Sequence, residues 1–210
     1  MTTVSRDSDL DGPGNGAPAE PASAPAFGDP APLGMGAFAM TTFVLSVFNA
    51  GLMNIELQTV VLPLALFYGG LSQVLAGMWA FRVGNTFGGL AFTSFGAFWL
   101  SYATYAQFFV EALGAGADAA TSLFLFAWAI FSAYMTVAAV RTTPVVLGVF
   151  VLLTITLVLL GAASASGAGA LTMAGGWAGL LTALVAWYGS AGGVINLVWG
   201  RDLLPGNAPR

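Results

Sequence analysis

Residues 67–99, FYGGLSQVLAGMWAFRVGNTFGGLAFTSFGAFW, decide the fold. They hold two apolar segments joined by a short polar turn, Arg82-Val83-Gly84-Asn85-Thr86. The apolar run before the turn begins near Leu57, and the run after it continues to about Leu113. At about 1.5 Å of rise per helical residue, each can cross a hydrocarbon core about 30 Å thick. The pattern predicts a transmembrane hairpin. Gly69, Gly70, Ser72, Ala76, Gly77, Gly88 and Gly89 let its helices approach closely in a solvent that does not drive them together. Gln73, Asn85, Thr86, Thr93 and Ser94 must face protein or a wet path rather than lipid.

Composition agrees. Hydrophobic residues are 58% of the 210, and charged residues only 7%, against about 25% in a soluble domain. Only five basic residues are present, too few for a nucleic-acid footprint. No Cys is present, so there are no disulfides or thiolate sites. No His is present, which removes the commonest general base and metal ligand. Lys is also absent, which excludes a Walker A motif and a lysine Schiff base. No catalytic residue, metal site or cofactor is expected, and an integral-membrane enzyme is the weakest class.

Taken in order, Met1 to about Phe27 is rich in Pro, Ala, Gly and Ser without apolar period. It predicts a disordered tail over 1–28 rather than a secretory signal. Gly28-Asp29-Pro30-Ala31-Pro32-Leu33-Gly34 reads as a stiff entry, its prolines lying outside the first helix. The membrane domain is expected over 29–201, followed by a short tail, 202–210. The fold class is an all-α integral membrane protein, a bundle of six spans near 33–53, 57–81, 87–112, 121–141, 145–164 and 174–200.

In the first span Phe38, Thr42, Leu45 and Asn49 share a face by their spacing. The third carries an aromatic stripe, Phe95, Phe98, Tyr102, Tyr105 and Phe109, which by itself reads as packing or lipid contact as readily as a pore wall. The fifth is nearly pure aliphatic and ends in a flexible run, Gly161 to Gly169. The sixth has two small-xxx-small pairs, Gly175 with Gly179 and Gly189 with Gly193, suited to helix crossing. Asn49, Gln73 and Asn85 either hydrogen-bond between helices or face a pathway. With six spans Arg6, Arg82, Arg141, Arg201 and Arg210 fall on one side, while Glu56, Glu111 and Asp118 fall on the other. The positive-inside rule puts both termini in the cytoplasm, and a plasma (inner) membrane is expected.

Asp29-Pro30-Ala31-Pro32-Leu33-Gly34 resembles the Asn-Pro-Ala-Pro-Leu-Gly signature of the acetate uptake transporters, also called succinate–acetate permeases. The resemblance continues through Phe67-Tyr68-Gly69-Gly70, Gln73, Ala76-Gly77, Gly84-Asn85-Thr86-Phe87-Gly88 and Ala91-Phe92-Thr93-Ser94, and through Gly96, Phe98-Trp99-Leu100, Gly176-Trp177, Asn196 and Gly200-Arg201. It implies a pathway through each protomer for acetate or related small monocarboxylates, with succinate a further candidate. It also implies a homo-oligomeric ring, usually a hexamer, which the glycine faces support too. By position, the family's apolar constriction corresponds to Phe38, Phe95 and Leu153.

Four positions depart from the family pattern: Asp29 replaces Asn, Phe95 replaces the commoner Tyr, and Ala80 and Gly193 stand where acidic residues are often found. Thr42, Asn49, Gln73, Asn85, Thr86, Thr93 and Ser94 are the polar pathway candidates, and 29–34 lies at the inner mouth. With no ionisable residue in the membrane core, selection rests on pore diameter, hydroxyl and amide dipoles and an apolar neck. The other readings are a channel for ammonia, urea or formic acid, and a scaffold that only binds partner helices.

Overall fold

The computed structural model describes residues 27–207, so the expected tail through residue 26, with Arg6, and the terminal Arg210 lie outside the described residues. Among the described residues there is no strand. Six long helices run as α1 Ala31–Asn49, α2 Ile55–Arg82, α3 Thr86–Phe108, α4 Ala117–Ala139, α5 Pro144–Ser166 and α6 Gly169–Trp199. Short turns at Val110–Leu113 and Gly114–Gly116 join α3 to α4. Five helices are long and apolar enough to cross a membrane: α1, α2, α5, α6, and α4 taken with the turns before it. The remaining one, α3, has a membrane-spanning length of 23 residues but dilutes its apolar content with Gly, Thr, Ser and Tyr.

Each helix begins and ends for a local reason. The prolines of the entry segment help start α1 rather than precede it, which corrects the sequence expectation. Pro30 is the cap and Pro32 sits in the first turn, where a missing N–H forfeits no intrahelical bond. Asp29 Oδ1 accepts from the Ala31 N–H at 2.9 Å, satisfying one of the free donors there. Asn85 Oδ1 accepts from the Gly88 N–H at 2.8 Å and starts α3 in the same way. The run from Gly161 to Gly169, expected to be flexible, is instead helical through Ser166 and stops at Gly167. That glycine adopts a left-handed φ of +67°, and α6 begins two residues later, ahead of the expected 174.

The second helix is not uniform. It opens as a 3₁₀ turn, Ile55–Val60, and carries a π turn at Phe67–Ser72 before resuming as α-helix at Gln73. Ser72 Oγ donates to the Phe67 carbonyl five residues back, at 3.1 Å. The widened turn falls where Gly69 faces Thr41 and a Cβ on Gly70 would lie 2.6 Å from Leu100 Cδ2. One extra residue in the turn shifts the helical phase, and the next residue, Gln73, is only 1% exposed.

The helices close into a ring. α1 packs most heavily on α6, α5 packs equally on α6 and α4, and α2 packs on both α1 and α3. The seam between α3 and α4 has the sparsest backbone approach and is filled by large rings instead. Phe95 meets Phe131 at 5.3 Å, Phe98 meets Phe124 at 5.5 Å, and Tyr105 meets Phe124 at 6.1 Å between centroids. The Tyr105 hydroxyl also hydrogen-bonds Thr121 Oγ1 at 2.8 Å.

The glycine pairs of α6 serve this same ring. Gly175 faces Leu160, Gly179 faces Ser46 and Thr156, Gly189 faces Met35 and Val145, and Gly193 faces Pro32. These faces are therefore occupied inside one chain and do not argue for contact between protomers. Beyond α6, the expected C-terminal tail turns back. Asn196 Oδ1 accepts from the Leu203 and Leu204 N–H groups, each at 2.9 Å, and the Tyr188 hydroxyl donates to the Pro205 carbonyl at 2.8 Å.

Candidate functional site

Two cavities lie along the axis of the ring. The larger, about 180 Å³, is at the end where Glu56, Glu111 and Asp118 fall. Its wall includes Thr42, Leu45, Ser46 and Asn49 from α1, Phe98, Trp99, Tyr102 and Tyr105 from α3, and Leu157 and Ser164 from α5. The smaller, about 90 Å³, is at the end of Arg82, Arg141 and Arg201 and is lined by Ala31, Met35, Gln73, Asn85, Phe92, Val149 and Phe150, among others. Among the described residues, only Phe38, Phe95 and Leu153 line both cavities. They come from α1, α3 and α5, and their exposures are 5%, 3% and 5%.

Phe95 is held by aromatic neighbours on several helices. Its ring lies 5.9 Å from Phe38, 6.0 Å from Phe150, 5.8 Å from Trp128 and 5.3 Å from Phe131. Tilted and edge-on pairs of this kind contribute about 0.5–1.5 kcal/mol each beyond area burial. The ring is therefore fixed where the two cavities meet.

Among the described residues, no Asp, Glu or Arg lines either cavity. An isolated ion would lose its hydration there without gaining a counter-charge. The polar groups present are hydroxyls, amides and one indole N–H. Two of them, Thr42 Oγ1 and Trp99 Nε1, are buried without a hydrogen-bond partner at the larger cavity. Gln73 Oε1 is in the same condition at the smaller one.

The remaining sequence candidates separate by position. Thr42 and Asn49 line the larger cavity, and Gln73 and Asn85 the smaller, although Asn85 also caps α3. Thr86, Thr93 and Ser94 line neither cavity. Thr86 is exposed at the start of α3, and Thr93 presses its hydroxyl against Gly77 between α2 and α3. Of the signature segment, only Ala31 reaches a cavity wall; Asp29 is exposed.

The aromatic stripe splits as well. Phe98, Tyr102 and Tyr105 line the larger cavity while packing α4, and Phe109 is 57% exposed. Trp99, Ser46 and Thr156 are cavity residues that the sequence reading did not single out as candidates. Their periodicity held a signal: each lies three or four residues beyond a residue already on the axis, Phe95, Thr42 and Leu153.

The sequence profile of the GPR1/FUN34/yaaH family matches residues 13–198. The chain belongs to this family. Within the GPR1/FUN34/yaaH family it is 42% identical over 181 residues to the ammonia transport outward protein 2 of Saccharomyces cerevisiae, a match that covers 83% of this chain and 64% of the yeast protein. Thus the chain spans less than two thirds of that fungal relative. It is 36% identical over 181 residues to the succinate-acetate/proton symporter SatP of Escherichia coli K12, covering 84% of this chain and 94% of SatP. The solved structure of the bacterial acetate channel SatP matches it with a TM-score of 0.78 at 33% identity, covering 86% of this chain and 99% of that one.

Proposed function

We propose that the chain conducts acetate and related small monocarboxylates across a membrane, through a pathway within each protomer that narrows at Phe38, Phe95 and Leu153. The observation that carries this reading is a pair of cavities that, among the described residues, have no charged lining and only those three residues common to both walls. A constriction of large apolar side chains hinders hydrated ions by dewetting, while a compact carboxylic acid can pass. The names of the SatP relatives, a succinate-acetate/proton symporter and an acetate channel, support this substrate class.

In this reading all six long helices cross the bilayer of the plasma membrane and both termini are cytoplasmic. The support is that Arg82, Arg141 and Arg201 follow alternate helices, which the positive-inside rule assigns to the cytoplasmic face. The protein is a conduit and not an enzyme, and it works as a closed ring of identical subunits. Apolar side chains on the outward face of α4, Leu123, Ile130 and Val137, are 69–75% exposed and available to lipid or a second copy.

Uptake of labelled acetate into liposomes carrying the purified protein tests the proposal. Saturable uptake, competed by propionate or lactate and absent from protein-free liposomes, is expected. Absence of acetate flux from correctly assembled protein would overturn it. The yeast relative's name favours a second reading, ammonia as the solute. The same liposomes loaded with a pH dye distinguish the two, because ammonia entry makes the lumen alkaline and acetic acid entry makes it acidic.

A further inference from the structure

The two sides of the three-residue waist differ in chemistry. One turn from Phe38, Phe95 and Leu153 toward the acidic end, about 5 Å further along, the same three helices present Thr42, Trp99 and Thr156 to the larger cavity. One turn the other way they present Met35, Ala91 and Val149, all apolar, to the smaller one. The polar collar is therefore one-sided.

Its hydrogen-bonding state is unusual for this protein. Thr41, Thr104, Thr136, Thr154 and Thr182 each donate to the carbonyl four residues back, at 2.7–3.0 Å. Thr42 is 5% exposed, and its hydroxyl has no partner among the described residues. The Trp99 indole nitrogen is likewise unpartnered in a residue 2% exposed. Buried polar groups are almost always paired, so two that are not, on the wall of one cavity, point to an occupant that pairs with them. Thr156 completes the set. Its hydroxyl hydrogen is engaged with the Leu152 carbonyl at 2.8 Å, which leaves its oxygen as an acceptor. The collar thus offers a fixed N–H donor, a hydroxyl able to donate or accept, and an acceptor oxygen.

We propose that Thr42, Trp99 and Thr156 bind the carboxyl group of the permeating acid just before the waist. This rests on the reading of the chain as a carboxylate pathway. The indole N–H donates to one carboxyl oxygen, and the Thr42 hydroxyl serves the other. When that oxygen carries the proton, its O–H donates a hydrogen bond to Thr156 Oγ1. The substrate's short apolar end then points at Phe38, Phe95 and Leu153. No cation takes part, so the site holds its ligand weakly enough to release it.

The test is the concentration dependence of acetate uptake in liposomes for Trp99→Phe, Thr42→Val and Thr42→Ser. Phenylalanine keeps an apolar ring but removes the N–H, and valine keeps the shape of threonine but removes the hydroxyl. Loss of one hydrogen bond to the solute should raise KM about tenfold for Trp99→Phe and for Thr42→Val, with the maximal rate held or raised. Thr42→Ser should return KM toward the parent value. If assembled Trp99→Phe and Thr42→Val both keep the parent KM, only water pairs with these groups and the proposal is overturned. Should Trp99→Phe fail to assemble, the Thr42→Val and Thr42→Ser pair decides alone, because valine keeps the branched shape without the hydroxyl and serine keeps the hydroxyl without the methyl. A parent protein with no acetate uptake would instead count against the transport reading itself.

Discussion

Phe95 shows how one residue type carries two duties at one place. Its ring is packed against Phe38, Phe98, Trp128, Phe131 and Phe150, and it also stands in both cavity walls. Removing it would take away this packing and cost about 3–5 kcal/mol. Phe95→Tyr, by contrast, keeps the ring and most of this packing, and should change the ranking of small acids in competition uptake. Phe38→Ala and Leu153→Ala open the waist from α1 and α5. Both should admit bulkier acids such as lactate or succinate faster than the parent, measured at equal incorporation into liposomes. If both assemble normally and keep the parent's size cutoff, the waist is placed wrongly. At the surface, Asp29 holds the Ala31 N–H through one oxygen, a bond that asparagine can also make. Asp29→Asn should therefore leave the thermal midpoint unchanged while raising acetate uptake, because less anion is repelled from the mouth, where it equilibrates with the neutral acid that crosses. The gain should be larger at low salt, since exposed charges are screened over about 10 Å at 0.1 M.

Among the elements, the α2–α3 pair depends on glycine at its closest backbone approach. A Cβ on Gly96 would lie 2.7 Å from the Val74 nitrogen and 2.8 Å from the Gly70 carbonyl oxygen. Backbone cannot rotate away as a side chain can, so Gly96→Ala must spread the two helices beside the π turn. A loss of about 1–3 kcal/mol is expected, read as a lower thermal midpoint in detergent, with weaker acetate uptake because Gln73 shifts. An unchanged midpoint would mean that the pair tolerates a wider spacing. The C-terminal return is held differently, by hydrogen bonds from one side chain. Asn196→Ala removes its bonds to Leu203 and Leu204. Cleavage after Asp202 by an added protease should become faster while the spans stay intact.

For the molecule as a whole, no Asp, Glu or Arg among the described residues lines either cavity, and the sequence has no Lys or His. A protein-borne proton relay normally uses such residues, so pH dependence should arise from the substrate. Carboxylic acids titrate near pH 4–5, on the order of the Asp and Glu reference values. Below that range the neutral acid dominates and crosses a dry waist more readily. Protein-dependent acetate flux should thus rise as pH falls and follow the fraction of undissociated acid. A bell-shaped profile, or a midpoint near neutrality, would indicate an ionisable group of the protein on the path.

The sequence by itself determined the membrane-helix character and the positions of most helices, and its family resemblance pointed to Phe38, Phe95 and Leu153, which line both cavities. Apolar runs, arginine-bearing turns and motif spacing are local or linear properties, so they can be read without coordinates. Helix ends were less legible: Pro32 entered α1, and the glycine run before α6 stayed helical to Ser166. Both depend on caps and contacts one turn away. What only the tertiary structure decided was which polar residues meet the axis. Thr42 and Thr93 are both buried hydroxyls without partners, yet one lines a cavity and the other packs on a glycine of the neighbouring helix. Nothing in their local sequence separates them, because the rotation of each helix about its own axis is fixed by the packing of the whole ring. The same holds for the glycines of α6, whose spacing announced a close helix contact but not that α1 and α5 of the same chain would make it.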